Sequence, residues 1–232
     1  MEYRKVKIET INLSFSYEEK EDVLKDINLK IFENERISII GENGSGKTTL
    51  LLCICGLLKF RGKVLIDGED FKESLRRKIG FLFENPDDSL FMPRVYDDVA
   101  FGAKNYKIKG NLDEIVRNSL NRVGLKDFEN KVSHHLSYGE KKRVSLASLL
   151  SYEPEIFLLD EPTLGLSPLA RRKFMKLIKD LKGTIVIATH DVDFAIEISD
   201  RILFLKNGTI KREFQRSFRK DEIIKLFEED SS

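Results

Sequence analysis

The chain has 232 residues, 41% of them hydrophobic, which suits one large α/β domain or a core with a smaller lobe. Its 40 lysines and arginines against 39 aspartates and glutamates give a formal net charge of +1, so we expect no nucleic-acid partner. Apolar runs such as residues 50–58 are shorter than the ~20 residues that span a bilayer, and MEYRKVKIET lacks a signal-peptide core. These features predict a cytoplasmic protein.

The first predicted element that carries chemistry is RISIIGENGSGKTTLL, an apolar strand over 37–40 followed by a glycine-rich turn and a helix from about Lys47. Its residues Gly41, Gly46, Lys47 and Thr48 fit G-x-x-x-x-G-K-[ST]. Glycines let successive backbone N–H groups cradle a β-phosphate at the helix N-terminus. Lys47 adds charge at the β- and γ-phosphates, and the Thr48 hydroxyl is a ligand for Mg²⁺. The alternative is a glycine-rich turn that only opens a buried helix.

This loop and helix supply most of the predicted ATP contacts. The positions predicted to bind the nucleotide are Gly41, Asn43, Gly44, Ser45, Gly46, Lys47, Thr48 and Thr49. The helix also contains the two cysteines, Cys53 and Cys55, whose spacing suits neither a zinc site nor a local disulfide. We interpret both as small core residues.

Two helices with N-terminal capping boxes are predicted in the middle of the chain. In NLDEIVRNSLNRVGL the box is formed by Asn111 and Glu114, and an apolar stripe follows it. In LSYGEKKRVSLASLL the box is formed by Ser137 and Glu140, and Gly139 lies in the first turn. Glycine in a helix costs roughly 0.8–1.0 kcal/mol relative to alanine, so its presence here suggests that something approaches this backbone closely. A capping box with an incidental glycine is the alternative.

Two later strands end in polar residues. In EIFLLDEP a strand over 156–159 delivers Asp160 and Glu161, which are placed to hold the Mg²⁺ shell and to deprotonate an attacking water. The alternative is that both carboxylates are solvated charges in a loop. In TIVIATHD the strand ends before His190, which either contacts the γ-phosphate and the water or caps the next helix. After a hairpin at Asn207-Gly208, DEIIKLFEED predicts a small amphipathic helix.

The order GENGSGKT, LSYGE, IFLLDEP and ATHD resembles the nucleotide-binding subunit of ABC transporters over nearly the whole chain. The resemblance implies an α/β fold with a P-loop NTPase core, a mixed sheet, an N-terminal antiparallel β region and an inserted α-helical lobe. The RecA-like core would cover about 1–85 and 154–232, and the lobe about 86–153. The resemblance also implies a head-to-tail dimer, either a homodimer or a heterodimer with a second ABC ATPase. In that dimer Ser137, Gly139 and Glu140 of one subunit would contact the ATP held by the other.

Further roles follow from the same resemblance. Tyr17 matches the aromatic residue that stacks on adenine, and the alternative is that Phe15 or Tyr17, on one strand face, is simply a packing residue. Glu84 stands where the family has a glutamine that senses Mg²⁺. The predicted metal ligands are therefore Thr48, Glu84 and Asp160. The predicted catalytic residues are Lys47, Glu161 and His190. Residues 84–101 resemble the segment of energy-coupling-factor and cobalt/biotin importers that faces an integral membrane subunit, and a local lobe core is the alternative.

The chain departs from the family pattern at four positions. Glu84 and Glu140 replace glutamines, which compositional drift also explains because Gln215 is the only glutamine. Tyr138 replaces the first glycine that the family has in the LSYGE motif, and Ser167 replaces an aspartate. Ser167 and Pro168 are also residues typical of a helix start, which explains them without a functional role. We expect Glu84 to slow turnover without abolishing it.

The sequence thus predicts an ATP-hydrolysing subunit that powers a membrane importer for a vitamin or a transition metal. It would lie on the cytoplasmic face of the membrane as a peripheral protein. The alternatives are a soluble ABC ATPase that is not tied to transport, and a regulatory subunit that binds nucleotide but hydrolyses little.

Overall fold

The computed structural model describes residues 4–18, 21–215 and 223. They divide into two compact units, of which the first takes its residues from 1–79, 156–160 and 183–232 and the second from 80–155 and 161–182. The second unit therefore includes the predicted lobe, 86–153, and adds Glu161 and the helix that follows it.

The first unit contains an antiparallel sheet near the N-terminus, as the sequence predicts. Its strand order is β2-β1-β4-β5. The strands are β1 (Val6–Phe15), β2 (Leu24–Phe32), β4 (Arg61–Ile66) and β5 (Glu69–Asp70). Buried and exposed residues largely alternate along β2, as expected for a strand with one face in the core.

A second, mixed sheet of the first unit positions the predicted phosphate-binding loop. Five of its strands are consecutive neighbours in the order β10-β9-β3-β8-β7. They are β3 (Arg36–Ile40), β7 (Ile156–Asp160), β8 (Thr184–Thr189), β9 (Arg201–Lys206) and β10 (Thr209–Gln215). The pairings among β7, β8, β3 and β9 are parallel, whereas β9 and β10 form an antiparallel hairpin. Strands β7 and β8 are buried throughout, which explains their continuous apolar sequences.

Among its described residues the first unit also contains the α-helices α1 (Lys47–Ile54) and α6 (Val192–Ile198). Cys53 and Cys55 in and after α1 are both buried and free, as predicted, and burial raises their pKa values to about 12 and about 11. The hairpin is confirmed at Asn207 and Gly208, whose φ values of 49° and 74° fit a two-residue type I′ turn. The helix predicted at 221–230 lies outside the described residues except for Ile223, which is buried.

The second unit is mainly helical. Strand β6 (Ile79–Leu82) begins at Ile79, the last residue of the first unit's N-terminal stretch, and continues into the second unit. The helices that follow are α2 (Val95–Asn105), α3 (Leu112–Arg122), α4 (Tyr138–Leu150) and α5 (Pro168–Asp180). Helices α2, α3 and α4 pack against one another.

The helix starts of the second unit follow the predicted capping residues. Asn111 caps α3 by accepting hydrogen bonds from the N–H groups of Asp113 and Glu114. Ser167 caps α5, and Pro168 occupies the first helical position. Within the described ranges the longest helices have 13 residues, and none is long and apolar enough to cross a bilayer.

Candidate functional site

The glycine-rich loop lies between the end of β3 and the start of α1, as predicted. Gly46, the N-cap of α1, has a φ of 104°, a left-handed conformation that favours glycine, and an added Cβ would lie 2.9 Å from the Leu24 side chain. Gly46 provides no side-chain cap for α1. A helix N-terminus without a side-chain cap has N–H groups and a positive dipole end for an anion.

Lys47 folds back over the loop that precedes it. Its buried ammonium donates hydrogen bonds to the carbonyl oxygens of Gly41 and Glu42, both at 2.9 Å. These bonds hold a positive charge against the loop, which is the placement that a lysine contacting phosphate oxygens requires.

Oxygen atoms suited to a metal–nucleotide complex converge beside the loop. The Thr48 hydroxyl donates to Asp160 Oδ1 at 3.0 Å, and Asp160 is buried. Because its proton points to the carboxylate, Thr48 Oγ1 keeps lone pairs for a cation, and Mg²⁺ prefers such oxygen ligands. The buried Ser45 hydroxyl oxygen has no hydrogen-bond partner among the described residues. Since buried polar atoms are seldom left unpaired, these residues fit Mg²⁺ and a phosphate group.

The strand register brings the polar strand ends of the first unit to one edge. Ile40 of β3 pairs with Thr189 of β8, and Asp160 of β7 pairs with Ala188. The carboxyl ends of parallel strands form the usual ligand-binding edge of such a sheet. His190, directly after β8, is therefore exposed at this edge. The alternative that His190 caps the next helix is wrong, because Asp191 is the N-cap of α6.

Tyr17 and Phe15 differ in their surroundings, although the sequence treats them alike. Phe15 is the last residue of β1 and is buried, whereas Tyr17 lies beyond the strand and is 46% exposed. Their rings meet edge to face with centroids 4.6 Å apart. The Tyr17 hydroxyl lies 3.4 Å from the Thr49 hydroxyl of α1. Packing therefore explains Phe15, while Tyr17 has an accessible ring next to the phosphate-binding helix.

The second unit contains the other predicted carboxylates, Glu161 and Glu84. Glu161 is 7% exposed and has a φ of 39°, a conformation uncommon outside glycine. Its carbonyl accepts hydrogen bonds from the Leu164 N–H and from the Lys142 ammonium, both at 3.2 Å. Glu84 is exposed, and its carbonyl accepts a hydrogen bond from the Tyr138 hydroxyl at 3.1 Å. The roles of both carboxylates remain predictions.

The N-terminus of α4 has the predicted capping box. The Ser137 hydroxyl oxygen accepts from the Glu140 N–H at 3.4 Å, and Glu140 Oε2 accepts from the Ser137 N–H at 2.8 Å. The Ser137 hydroxyl also donates to Glu140 Oε2 at 2.7 Å. These bonds from Ser137 lower the pKa of Glu140, so the carboxylate stays ionised and rigidifies the helix end.

Gly139, in the first turn of α4, is not required by its own chain. It is not among the glycines with positive φ. An added Cβ would lie 3.6 Å from the Leu166 side chain and 3.7 Å from Ala170, which are ordinary contacts. A cavity of about 380 Å³ lies beside this turn and is lined by Ser137, Gly139, Arg143, Ser167, Leu169 and Lys173, among others. The turn therefore has room for an external group.

The segment 84–101 contains both core and surface apolar residues. Leu90 and Val95 are buried, whereas Phe91 is 58% exposed and stacks edge to face on the exposed Phe101. A groove of about 340 Å³ lies beside them in the second unit. Its lining combines polar and small residues with the aromatic side chains of Phe81, Phe83, Phe91, Phe101, Tyr106 and Tyr152.

Asp98 holds this segment in place. Its Oδ1 accepts from the N–H groups of Phe91 and Met92, both at 3.0 Å, and its Oδ2 accepts from the Ser133 hydroxyl at 2.7 Å. Burial raises the pKa of Asp98, although the three donors oppose the shift. Sequence reasoning did not identify Asp98, since one aspartate in a helix carries no signal that the backbone of the preceding loop and the Ser133 hydroxyl, 35 positions away, donate to it.

Lys142 was also missed by sequence reasoning. A signal exists, because Lys142 lies four residues after Tyr138 and four before the buried Leu146, on one face of α4. A lysine on a buried helix face indicates a specific partner.

Comparison with known proteins gives consistent matches. The family model described as ABC transporter matches residues 24–164. Energy-coupling factor transporter ATP-binding protein EcfA of Methanocaldococcus jannaschii is 44% identical over 89% of this chain and 78% of that protein. The protein of the same name from Methanothermobacter thermautotrophicus is 41% identical over 94% and 74%.

Two solved structures are similar to this fold. CbiO1 of Clostridium perfringens, described as part of the ABC transporter complex cbiONQ, has a TM-score of 0.82 and 35% identity, covering 97% of this chain and 92% of that one. The ATP-binding cassette MJ0796, a dimer in a post-hydrolysis state with ADP and phosphate, has a TM-score of 0.83 and 30% identity over 91% and 100%.

Proposed function

This chain belongs to the ABC transporter family, and from that premise we propose that it is the ATP-hydrolysing subunit of an energy-coupling-factor importer. The transported compound would be a vitamin or a transition metal, as proposed from the sequence. The EcfA relatives, at 41% and 44% identity over most of the chain, support this branch of the family. The contact between Thr48 and Asp160 carries the proposal, because it joins two motifs that are 112 positions apart into one metal-binding arrangement.

The first unit binds the nucleotide. The loop from Gly41 to Lys47 wraps the β-phosphate, and the Tyr17 ring stacks on the adenine. Thr48 and Asp160 would hold Mg²⁺, and Glu84 would be a further ligand as proposed from the sequence. Mg²⁺, when bound there, would offset the negative charge on the β- and γ-phosphates.

Hydrolysis needs a base and a group that orients the γ-phosphate. Glu161 accepts a proton from the attacking water, and His190 donates a hydrogen bond to the γ-phosphate. Lys47 supports the transferred phosphoryl group through its charge. The burial of Glu161 and the exposure of His190 at the strand edge are compatible with these roles.

The reaction chamber is completed by a second subunit. Ser137, Gly139 and Glu140 present the N-terminus of α4 to the nucleotide held by that subunit, in a head-to-tail dimer of this chain or with a related ATPase. The space at Gly139 supports this arrangement, because neither its φ nor its neighbours require glycine. The dimeric state of the similar cassette also supports it.

The membrane partner docks on the second unit. The aromatic groove beside 84–101 has the exposed aromatic residues that are typical of a protein interface. A helix of an integral membrane subunit would fill it. The chain would then lie on the cytoplasmic face of the membrane as a peripheral subunit, and CbiO1 as part of a larger complex supports this assembly.

Turnover of Mg·ATP by the wild type and by Glu161→Gln tests the ATPase function. We expect the wild type to release phosphate and the variant to bind ATP with unchanged affinity but to lose about 100-fold or more in kcat. Full activity in Glu161→Gln would remove Glu161 as the base. Binding without turnover in the wild type, alone and with membrane subunits, would favour the regulatory alternative. Hydrolysis in a protein that never associates with a membrane subunit would favour the soluble ATPase.

A further inference from the structure

Lys142 is a completely buried lysine in the second turn of α4, with 0% of its surface exposed. Removal of an ammonium group from water is unfavourable unless hydrogen bonds compensate for it. Its Nζ donates to the backbone carbonyl of Glu161 at 3.2 Å. Lys142 therefore connects α4 to the residue proposed as the catalytic base.

The backbone at Glu161 needs such support. Its φ of 39° lies in the left-handed region, where residues with side chains are strained unless their surroundings hold them. Its carbonyl accepts the N–H of Leu164 in a tight turn and the ammonium of Lys142 from a different element. The bond from Lys142 restrains this peptide from α4, which the turn bond from Leu164 does not do.

The same helix also contacts the second predicted carboxylate. Tyr138, one turn before Lys142, donates its hydroxyl to the Glu84 carbonyl at 3.1 Å, and its ring centroid lies 5.9 Å from Lys142 Nζ. One face of α4 thus supplies donors to the backbone of both Glu84 and Glu161. Ser137 and Gly139 lie at the N-terminal end of this same helix.

We propose that Lys142 is a positioning residue that couples the N-terminal end of α4 to Glu161 of the same chain. The inference rests on the proposed function, in which that helix end meets the nucleotide of the neighbouring subunit while Glu161 acts on the nucleotide of its own. Docking of a nucleotide at Ser137 is then transmitted through α4 and the Lys142 ammonium to the Glu161 backbone. Binding of one nucleotide at the α4 end of a chain thereby adjusts the position of Glu161, which acts on the other nucleotide.

Substitution of Lys142 separates this role from a structural one. Lys142→Met keeps the length of the side chain and removes the donor, so the Glu161 carbonyl loses the hydrogen bond from α4. We expect kcat to fall about 10- to 100-fold, because a displaced catalytic group loses alignment, while the KM for ATP changes less than about twofold. Lys142→Arg keeps a charged donor and should restore most of the rate.

A second readout does not depend on activity. Hydrogen exchange at the Leu164 amide reports on the Glu161 carbonyl, and we expect faster exchange across residues 161–167 in Lys142→Met but not in Lys142→Arg. Ser151→Ala is the matched control, since it removes a buried hydroxyl that donates to the Ser148 carbonyl at the other end of α4. It should lower the melting temperature without changing kcat or exchange at 161–167.

The outcomes are distinct. Wild-type kcat and exchange in folded Lys142→Met would overturn the inference, and so would an equal loss in Lys142→Arg accompanied by a lower melting temperature. If Lys142→Met does not fold, Lys142→Gln, whose shorter side chain also loses the bond, is tested in the same way. Absence of hydrolysis in the wild type would instead overturn the proposed function, while the exchange rates would still decide whether Lys142 holds Glu161.

Discussion

Replacement of Gly139 by alanine should stabilise the isolated chain and impair the enzyme. An added Cβ lies 3.6 Å or more from its neighbours, so it fits without displacing Leu166 or Ala170. Alanine is favoured over glycine in helices by about 0.5–1 kcal/mol, and the lower value applies to a position in the first turn. For a chain of this length, about 0.5 kcal/mol corresponds to a rise of roughly 1–2 °C in the melting temperature.

In the proposed dimer, the same methyl group would stand in the path of the neighbouring subunit's phosphate toward the α4 backbone. We expect kcat/KM for ATP to fall by about tenfold, equivalent to ~1.4 kcal/mol of lost transition-state stabilisation. Thermal unfolding without nucleotide measures the first effect, and steady-state phosphate release measures the second. Sedimentation with ATP, in a Glu161→Gln background, shows whether the dimer is weakened.

Asn118→Ala provides the matched control. Asn118 is exposed on α3, so alanine should raise the melting temperature through helix propensity alone and leave turnover unchanged. If Gly139→Ala hydrolyses ATP and dimerises like the wild type, no group approaches this backbone. If it instead lowers the melting temperature by several degrees, the glycine has a packing role within its own chain.

Two further predictions concern carboxylates of the second unit. Glu84→Gln should raise steady-state ATPase and lower the Mg²⁺ concentration needed for half-maximal rate, because the amide adds a donor and removes a negative charge near the triphosphate; an identical Mg²⁺ titration would contradict the role of Glu84. Asp98→Asn should destabilise the chain by about 1–3 kcal/mol in thermal or urea unfolding, because an amide replaces a carboxylate that accepts three hydrogen bonds. It should also weaken coupling to a membrane subunit, and unchanged unfolding would show that these bonds do not order the 84–101 segment.

Much of the fold follows from short-range patterns. The capping residues Asn111, Ser137 and Ser167 begin the helices that their sequences predict, and Asn207-Gly208 forms the predicted turn. These features depend on hydrogen bonds between residues at most a few positions apart, so the local sequence determines them. The loop proposed to bind phosphate belongs to this class, since Gly46 and the helix that follows it are adjacent in the chain.

Other features depended on residues that are distant in sequence. Phe15 and Tyr17 look equivalent in the sequence, yet Phe15 is buried as the last residue of β1, whereas Tyr17 lies beyond the strand and is exposed. The partners of Asp98 and Lys142 could not be identified from the sequence, because the Ser133 hydroxyl and the Glu161 carbonyl lie 35 and 19 positions away.

The sequence by itself determined which chemistry the chain can carry: a loop for phosphate, a threonine and an aspartate for a cation, and a helix end with an unexplained glycine. Only the tertiary structure decided that Thr48 Oγ1 and Asp160 Oδ1 lie 3.0 Å apart, that the neighbours of Gly139 leave room for a Cβ, and that a buried lysine donates to the Glu161 carbonyl. The reason is that residue type and spacing set local hydrogen bonding, whereas strand register and helix packing determine which distant groups meet.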